Sequence, residues 1–237
     1  MSADWETLSL SQLYQDYTQN LVWSLFLTST ALHAIVLIAS PVQAVHKWYR
    51  RKSSDGDTAL PYICAVVGST LWLRYSVFIG DLKLILLQTY AVLMQIAFVG
   101  LLIHYRTKKM RLTRGILVIS LVMMLLFMYA SSITHEEGKQ LIGICASGAQ
   151  IAGSFVCPYL VYRAVKTKVI DFVPLAPVAF TWIMELHAIV YSIGINDFYL
   201  LLANGVFCCM DGSLLAMFFI YPTERKESKK NSKLMDL

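Results

Sequence analysis

The sequence predicts an all-α membrane protein: seven transmembrane helices forming two parallel three-helix bundles joined by a linker helix (3+1+3). Three observations predict it. Charge is scarce and gathered into short segments between long apolar runs. The basic residues fall almost entirely on one side of those runs. A pattern of proline, tyrosine, aspartate and amide residues recurs later in the chain, most of it at a spacing of 116 residues.

Composition carries the first point. Of 237 residues, 57% are hydrophobic and only 15% charged, with a mean hydropathy of +0.58. A soluble domain holds about 25% charged residues, so this chain lacks the polar cover that water requires. Residues 17–46, 84–105, 115–135 and 140–162 contain no Asp, Glu, Lys or Arg. Each is long enough to cross a hydrocarbon layer of about 30 Å as a helix.

Taken in order, the spans are expected at about 20–44, 60–79, 84–105, 115–133, 140–162, 173–194 and 199–221. The second is apolar except for Arg74, whose long side chain can reach the headgroups. The last two are separated at "GIND" and contain Glu185 and Asp211 respectively. The first run follows an acidic start with no basic region, so no cleavable signal peptide is expected. The units are then a first repeat at 20–105, a linker helix with its loops at 106–139, a second repeat at 140–222 and a basic tail at 223–237.

Lysine and arginine orient these spans. The segments after spans 1, 3, 5 and 7 hold 17 of the 20 basic residues, and the opposite side has only Arg74, Lys83 and Lys139. The positive-inside rule places the rich side in the cytoplasm and the N-terminus outside or in a lumen. The net charge of +5 is accounted for by this topology, so no nucleic-acid partner is expected. The lipid bilayer is the expected partner, and the tail "ERKESKKNSK" is read as solvated, with contact to anionic lipid as the alternative.

Nothing points to an enzyme. The five cysteines (64, 145, 157, 208, 209) lie inside spans without metal-type spacing and read as small packing residues. There is no phosphate-binding loop, no nucleophile elbow and no His-Glu-x-x-His. "HEE" at 135–137 shares only its first two letters with the last of these. Loops of about 5 to 16 residues leave no room for a soluble catalytic domain. No metal and no cofactor are expected.

The recurrence is the sharpest signal. Pro41 matches Pro158 and Pro61 matches Pro174. At the common spacing of 116, Tyr75 matches Tyr191, Asp81 matches Asp197, Gln88 matches Asn204 and Gln95 matches Asp211. Three spans plus one connecting span give both units the same orientation, with a solute site expected near the midplane between them. Proline deprives a carbonyl of its helical partner, so the four matched prolines are expected to act as hinges.

Three stretches resemble the SWEET sugar transporters: "SPVQAVHKWYRRKSSDGDTALPYICAVVGSTLWLRYSVFIGD", "CPYLVYRAVKTKVIDFVP" and "YSIGINDFYLLLANG". The resemblance runs over about 20–222. It implies facilitated uniport of a glucose-like monosaccharide or sucrose-like disaccharide by alternating access, in a homo-oligomer. It also implies residence in the cell membrane or an endomembrane such as the Golgi. By the same resemblance, Pro41, Pro61, Pro158 and Pro174 stand where the family has its proline tetrad. Trp72 stands at its pocket aromatic and Asn204 at its pocket asparagine. Tyr75 and Asp197 fall at the outer gate, with Tyr191, the match of Tyr75, as a further gate candidate, and Leu37 and Ser154 line the pocket. The chain departs from the family at Gln88, where the first-repeat asparagine stands, and at Ala188, where the second tryptophan stands.

Two acids need a separate account, because a carboxylate at the bilayer centre costs about 3 kcal/mol and is usually functional. Asp211 lies seven residues beyond Asn204 and is expected on the same face, about 10 Å deeper. Glu185 has the last span as a candidate partner. Three readings stay open for them: a protonated structural acid, a part of the solute path, or a proton carrier. His33 is read as a hydrogen-bonded interior residue.

Three rival functions remain. A seven-helix receptor fits the topology, but the chain has no Asp-Arg-Tyr after span 3, and a three-helix repeat has no place there. A non-transporting adaptor of transporter descent is the second. A carrier of another solute, of the PQ-loop type, is the third, although Pro41-Val42 and Pro158-Tyr159 replace Pro-Gln in both repeats.

Overall fold

The structure is a computed structural model that describes residues 18–221. The acidic start and the basic tail 223–237 lie outside the described residues. In chain order the helices are α1 (Leu21–Ala39), α2 (Val42–Arg51), α3 (Leu60–Ile79), α4 (Leu82–His104), α5 (Lys109–Ser132), α6 (His135–Ser154), α7 (Val156–Thr167), α8 (Leu175–Gly194) and α9 (Phe198–Ile220). Helices α1 and α2 form one interrupted span, as do α6 and α7. The described residues thus contain seven helices long and apolar enough to cross a membrane. The chain is a multi-pass membrane protein, and its loops alternate between a basic end and a far end.

Helix ends extend past the charge-free runs. Helix α5 begins at Lys109 rather than 115, and α6 at His135 rather than 140. Lys, Arg and Glu are good helix formers whose stems cover apolar surface, so charge marks the hydrocarbon depth and not the helix limit. Thr134 and Glu137 make a reciprocal capping box at the start of α6. The "HEE" motif is therefore the first turn of a span.

The two repeats share their ends in detail. Asp81 caps α4, its Oδ1 accepting from the Lys83 and Leu84 amides at 3.0 and 3.1 Å. Asp197 caps α9, its Oδ1 accepting from the Leu200 amide at 2.9 Å. The described residues with left-handed backbone are Lys52 (φ 53°), Gly80 (φ 69°), Lys168 (φ 60°) and Asn196 (φ 53°). These form two pairs, Lys52 with Lys168 and Gly80 with Asn196, each 116 residues apart. Gly and Asn tolerate this region best, and Lys52 and Lys168 hold it as helix C-caps.

The four prolines expected as hinges divide by position into two kinds. Pro41 follows the break between α1 and α2, and Pro158 lies just beyond the break between α6 and α7. Proline removes the bond to the carbonyl four residues back, here Leu37 and Ser154. The chain tightens locally instead: the Ser40 amide donates to the Leu37 carbonyl (3.1 Å) and the Phe155 amide to that of Ala152 (3.3 Å). Pro61 stands in the first turn of α3 and Pro174 caps α8. No carbonyl of the same helix precedes them by four residues, so they start spans without interrupting them.

Within the first bundle α4 packs on α3 and on α1; within the second α9 packs on α8 and on α6. The bundles meet along two seams, α3 with α6 and α1 with α8, while α5 lies against α6. The α3–α6 seam buries Leu71, Trp72, Tyr75, Ile142 and Ala146. Gly138 permits this approach, since a Cβ there would lie 2.9 Å from the Phe78 ring. The α1–α8 seam is built from rings instead. Trp23 stacks on Phe26 at 5.2 Å, Phe26 on His187 at 5.5 Å, and His33 on Phe180 at 3.8 Å. His33 Nε2 bonds the Phe180 carbonyl at 2.9 Å.

At the basic end, the loop after α2 is latched to the end of α4. Trp48, fully buried, donates to Asp57 at 2.6 Å, and Arg106 donates to the Ser54 and Asp57 carbonyls. The Thr107 hydroxyl and amide donate to Asp55 and hold its carboxyl below the usual aspartate range.

Candidate functional site

A cavity of about 620 Å³ lies between the bundles, within the range of about 300 to 1,000 Å³ typical of small-molecule sites. Helices α1, α4, α8 and α9 supply most of its wall, with Trp72 of α3 and Gln150 of α6. Of the residues expected to bind, Trp72, Gln88 and Asn204 line it. Leu37 and Ser154 do not: they sit at the helix breaks, where Ser154 is fully buried and donates to the Ile151 carbonyl at 2.7 Å.

Three polar groups of the cavity are tied in a relay. Trp72 Nε1 donates to Gln150 Oε1 at 3.0 Å, and Gln150 Nε2 donates to Asn204 Oδ1 at 2.9 Å. The relay crosses from the first bundle to the second. It fixes the indole, which is 6% exposed, and orients the Asn204 amide. Gln150 was not anticipated. Its signal was an amide in the middle of a charge-free run, where an unpaired polar group is costly.

At the far end, two tyrosine–aspartate bridges join the bundles. Tyr75 donates to Asp197 Oδ2 at 2.6 Å, and Tyr191 donates to Asp81 Oδ2. Each carboxylate thus caps its own helix with one oxygen and takes the opposite bundle's phenol with the other. Asp197 takes Tyr75 alone of the two tyrosines, and Asp81 completes the set. Asp81 was matched to Asp197 in the recurrence but not counted as a gate residue.

The acids are placed differently from expectation. Glu185 lines the cavity, 8% exposed, and its Oε2 has no hydrogen-bond partner. Asp211 is not among the cavity residues. Two turns beyond Asn204 the cavity has ended, because α7 packs against α9 there, burying Cys157 and Leu214. Asp211, 6% exposed, accepts instead from Cys157 Sγ at 3.0 Å. Among the described residues no cluster of three His, Cys, Asp or Glu side chains is arranged to hold a metal ion.

The comparisons with known proteins agree on one lineage. The Sugar transporter SWEET1 of Drosophila pseudoobscura pseudoobscura is 19% identical over 90% of this chain and 96% of its own length. The Bidirectional sugar transporter SWEET13 of Arabidopsis thaliana is 25% identical over 83% of this chain and 70% of its own. The solved structure of a eukaryotic SWEET transporter at 3.7 Å resolution superposes with a TM-score of 0.72 at 19% identity, covering 83% of this chain and 97% of that one. It shares the seven-helix, 3+1+3 fold. Residues 24–110 and 140–226 each match one family model, described as sugar efflux transporter for intercellular exchange. With most of its length matched, and matched twice, the chain belongs to the MtN3/saliva family of sugar efflux transporters.

Proposed function

We propose that the protein is a facilitative sugar transporter, carrying a glucose-like monosaccharide or a sucrose-like disaccharide by alternating access without an energy source. The observation that carries this is the cavity itself. It lies between two bundles, presents one indole face and three amide side chains, and is spanned by the relay through one of them, Gln150. An indole matches the C–H face of a sugar ring, and amides supply both donors and acceptors for hydroxyls. The relay uses the Asn204 carbonyl and leaves its N–H groups for a solute. The names of the relatives, all sugar transporters, support the same reading.

In this account the Tyr75–Asp197 and Tyr191–Asp81 bridges form one gate, at the outer face. The breaks at Pro41 and Pro158 let the basic end move at the inner face. The basic end faces the cytoplasm, the repeats run over 20–105 and 140–222 with 106–139 as linker, and the protein works as a homo-oligomer. Its membrane is the cell membrane or an endomembrane such as the Golgi. Uptake of a radiolabelled panel of hexoses and disaccharides into proteoliposomes tests the reading. At least one should equilibrate faster than in protein-free vesicles. No acceleration for any sugar contradicts it.

A further inference from the structure

We propose that the cavity takes a solute bearing a protonated amine, within the transport reading an amino sugar, and that Glu185 is the counter-ion that selects it. Glu185 is the cavity's carboxylate. It is 92% buried, and its Oε2 has no partner among the described residues. Buried carboxylates are ordinarily paired or hydrogen-bonded, because the charged form loses its hydration. None of the described residues supplies a cation for this one: the ion pairs among them are Arg106–Asp55 and Lys139–Glu136. Lys83 also lines the cavity, from the exposed first turn of α4, and makes no ion pair with Glu185. The missing donor is therefore one that arrives with the solute.

Two neighbours make the site specific. Trp72 supplies an aromatic face to the same cavity, and aromatic faces attract ammonium groups as well as C–H groups. Ala188, about one turn from Glu185 on α8, also lines the cavity, and its small side chain leaves room beside the carboxylate. The first repeat has a neutral residue, Ser69, at the position matched to Glu185, so the selectivity is one-sided.

The inference rests on the transport reading, and the test separates the two. Wild-type protein in proteoliposomes should admit labelled glucosamine faster than glucose. Glu185→Gln, which keeps the shape and can donate as a protonated acid would, should lower the glucosamine-to-glucose ratio by about tenfold, the worth of one charge-assisted hydrogen bond. The amount of the variant in the membrane and its thermal unfolding should match the wild type, which shows that it is folded. Glu185→Asp should restore part of the preference. Glucose entry without glucosamine entry in the wild type, or an unchanged ratio in Glu185→Gln, overturns this inference alone. Failure of both sugars to enter the wild type overturns this inference, and failure of the whole hexose and disaccharide panel overturns the transport reading with it.

Discussion

At the scale of single residues, the site is a small set of hydrogen bonds whose partners lie in opposite bundles. Trp72 can be removed with a clear expectation. Trp72→Ala should abolish sugar uptake while leaving the amount of protein in the membrane normal, because the relay and the stacking face go together. Wild-type uptake in that variant would show that the indole does not meet the solute. Gln150→Glu makes a finer test. It keeps an acceptor for Trp72 Nε1 but replaces the donor to Asn204 with a second acceptor. Leaving that carbonyl unmatched costs about 1–3 kcal/mol, which should lower both thermal stability and uptake. A variant of unchanged stability would show that the relay is not held in the protein. Asp211→Asn should transport as the wild type does at acidic and at neutral pH, since the amide oxygen still accepts from Cys157. Loss of a pH dependence present in the wild type would instead mark Asp211 as a proton carrier.

At the scale of elements, the proline expectation was half legible. The matched positions were readable, but whether a proline breaks a span or begins one depends on where the helix starts. Charge-free runs do not mark that point. Pro41→Ala and Pro158→Ala restore the hydrogen bonds to Leu37 and Ser154. They should slow uptake markedly while leaving thermal stability equal or higher, as an interior proline costs about 3 kcal/mol. Pro61→Ala and Pro174→Ala should have the smaller effect on uptake. Equal effects from all four would contradict the division. The left-handed corners at Lys52 and Lys168 were not legible, because lysine carries no conformational signature. Asn196→Gly should be neutral or stabilising, whereas Asn196→Val should cost about 1–2 kcal/mol in thermal unfolding.

At the scale of the whole molecule, the sequence carried the architecture because hydrocarbon is an unforgiving solvent. Charge must cluster between spans, basic residues must sort to one side, and polar groups at depth must be matched. The 116-residue spacing reports the last of these, from Tyr75 and Tyr191 to Asp81 and Asp197. What it did not carry is which atoms meet. Pairing of Tyr75 with Asp197 and of Tyr191 with Asp81 arises only when the two bundles face each other. The cavity's floor is set by where α7 closes on α9, which excludes Asp211 from the wall, while Leu37 and Ser154 sit at the helix breaks outside it.

The central claim is that the two bundles alternate about a cavity that holds sugar. Counterflow measures it most directly: proteoliposomes preloaded with unlabelled sugar are diluted into a trace of the labelled one. Alternating access requires the label to rise transiently above its external concentration and then decay. That overshoot should be present in the wild type, absent in Trp72→Ala, and altered in time course by Tyr75→Phe, which frees one gate bridge. Label that only approaches the external concentration, without overshoot and at the same rate in all three proteins, would contradict the account.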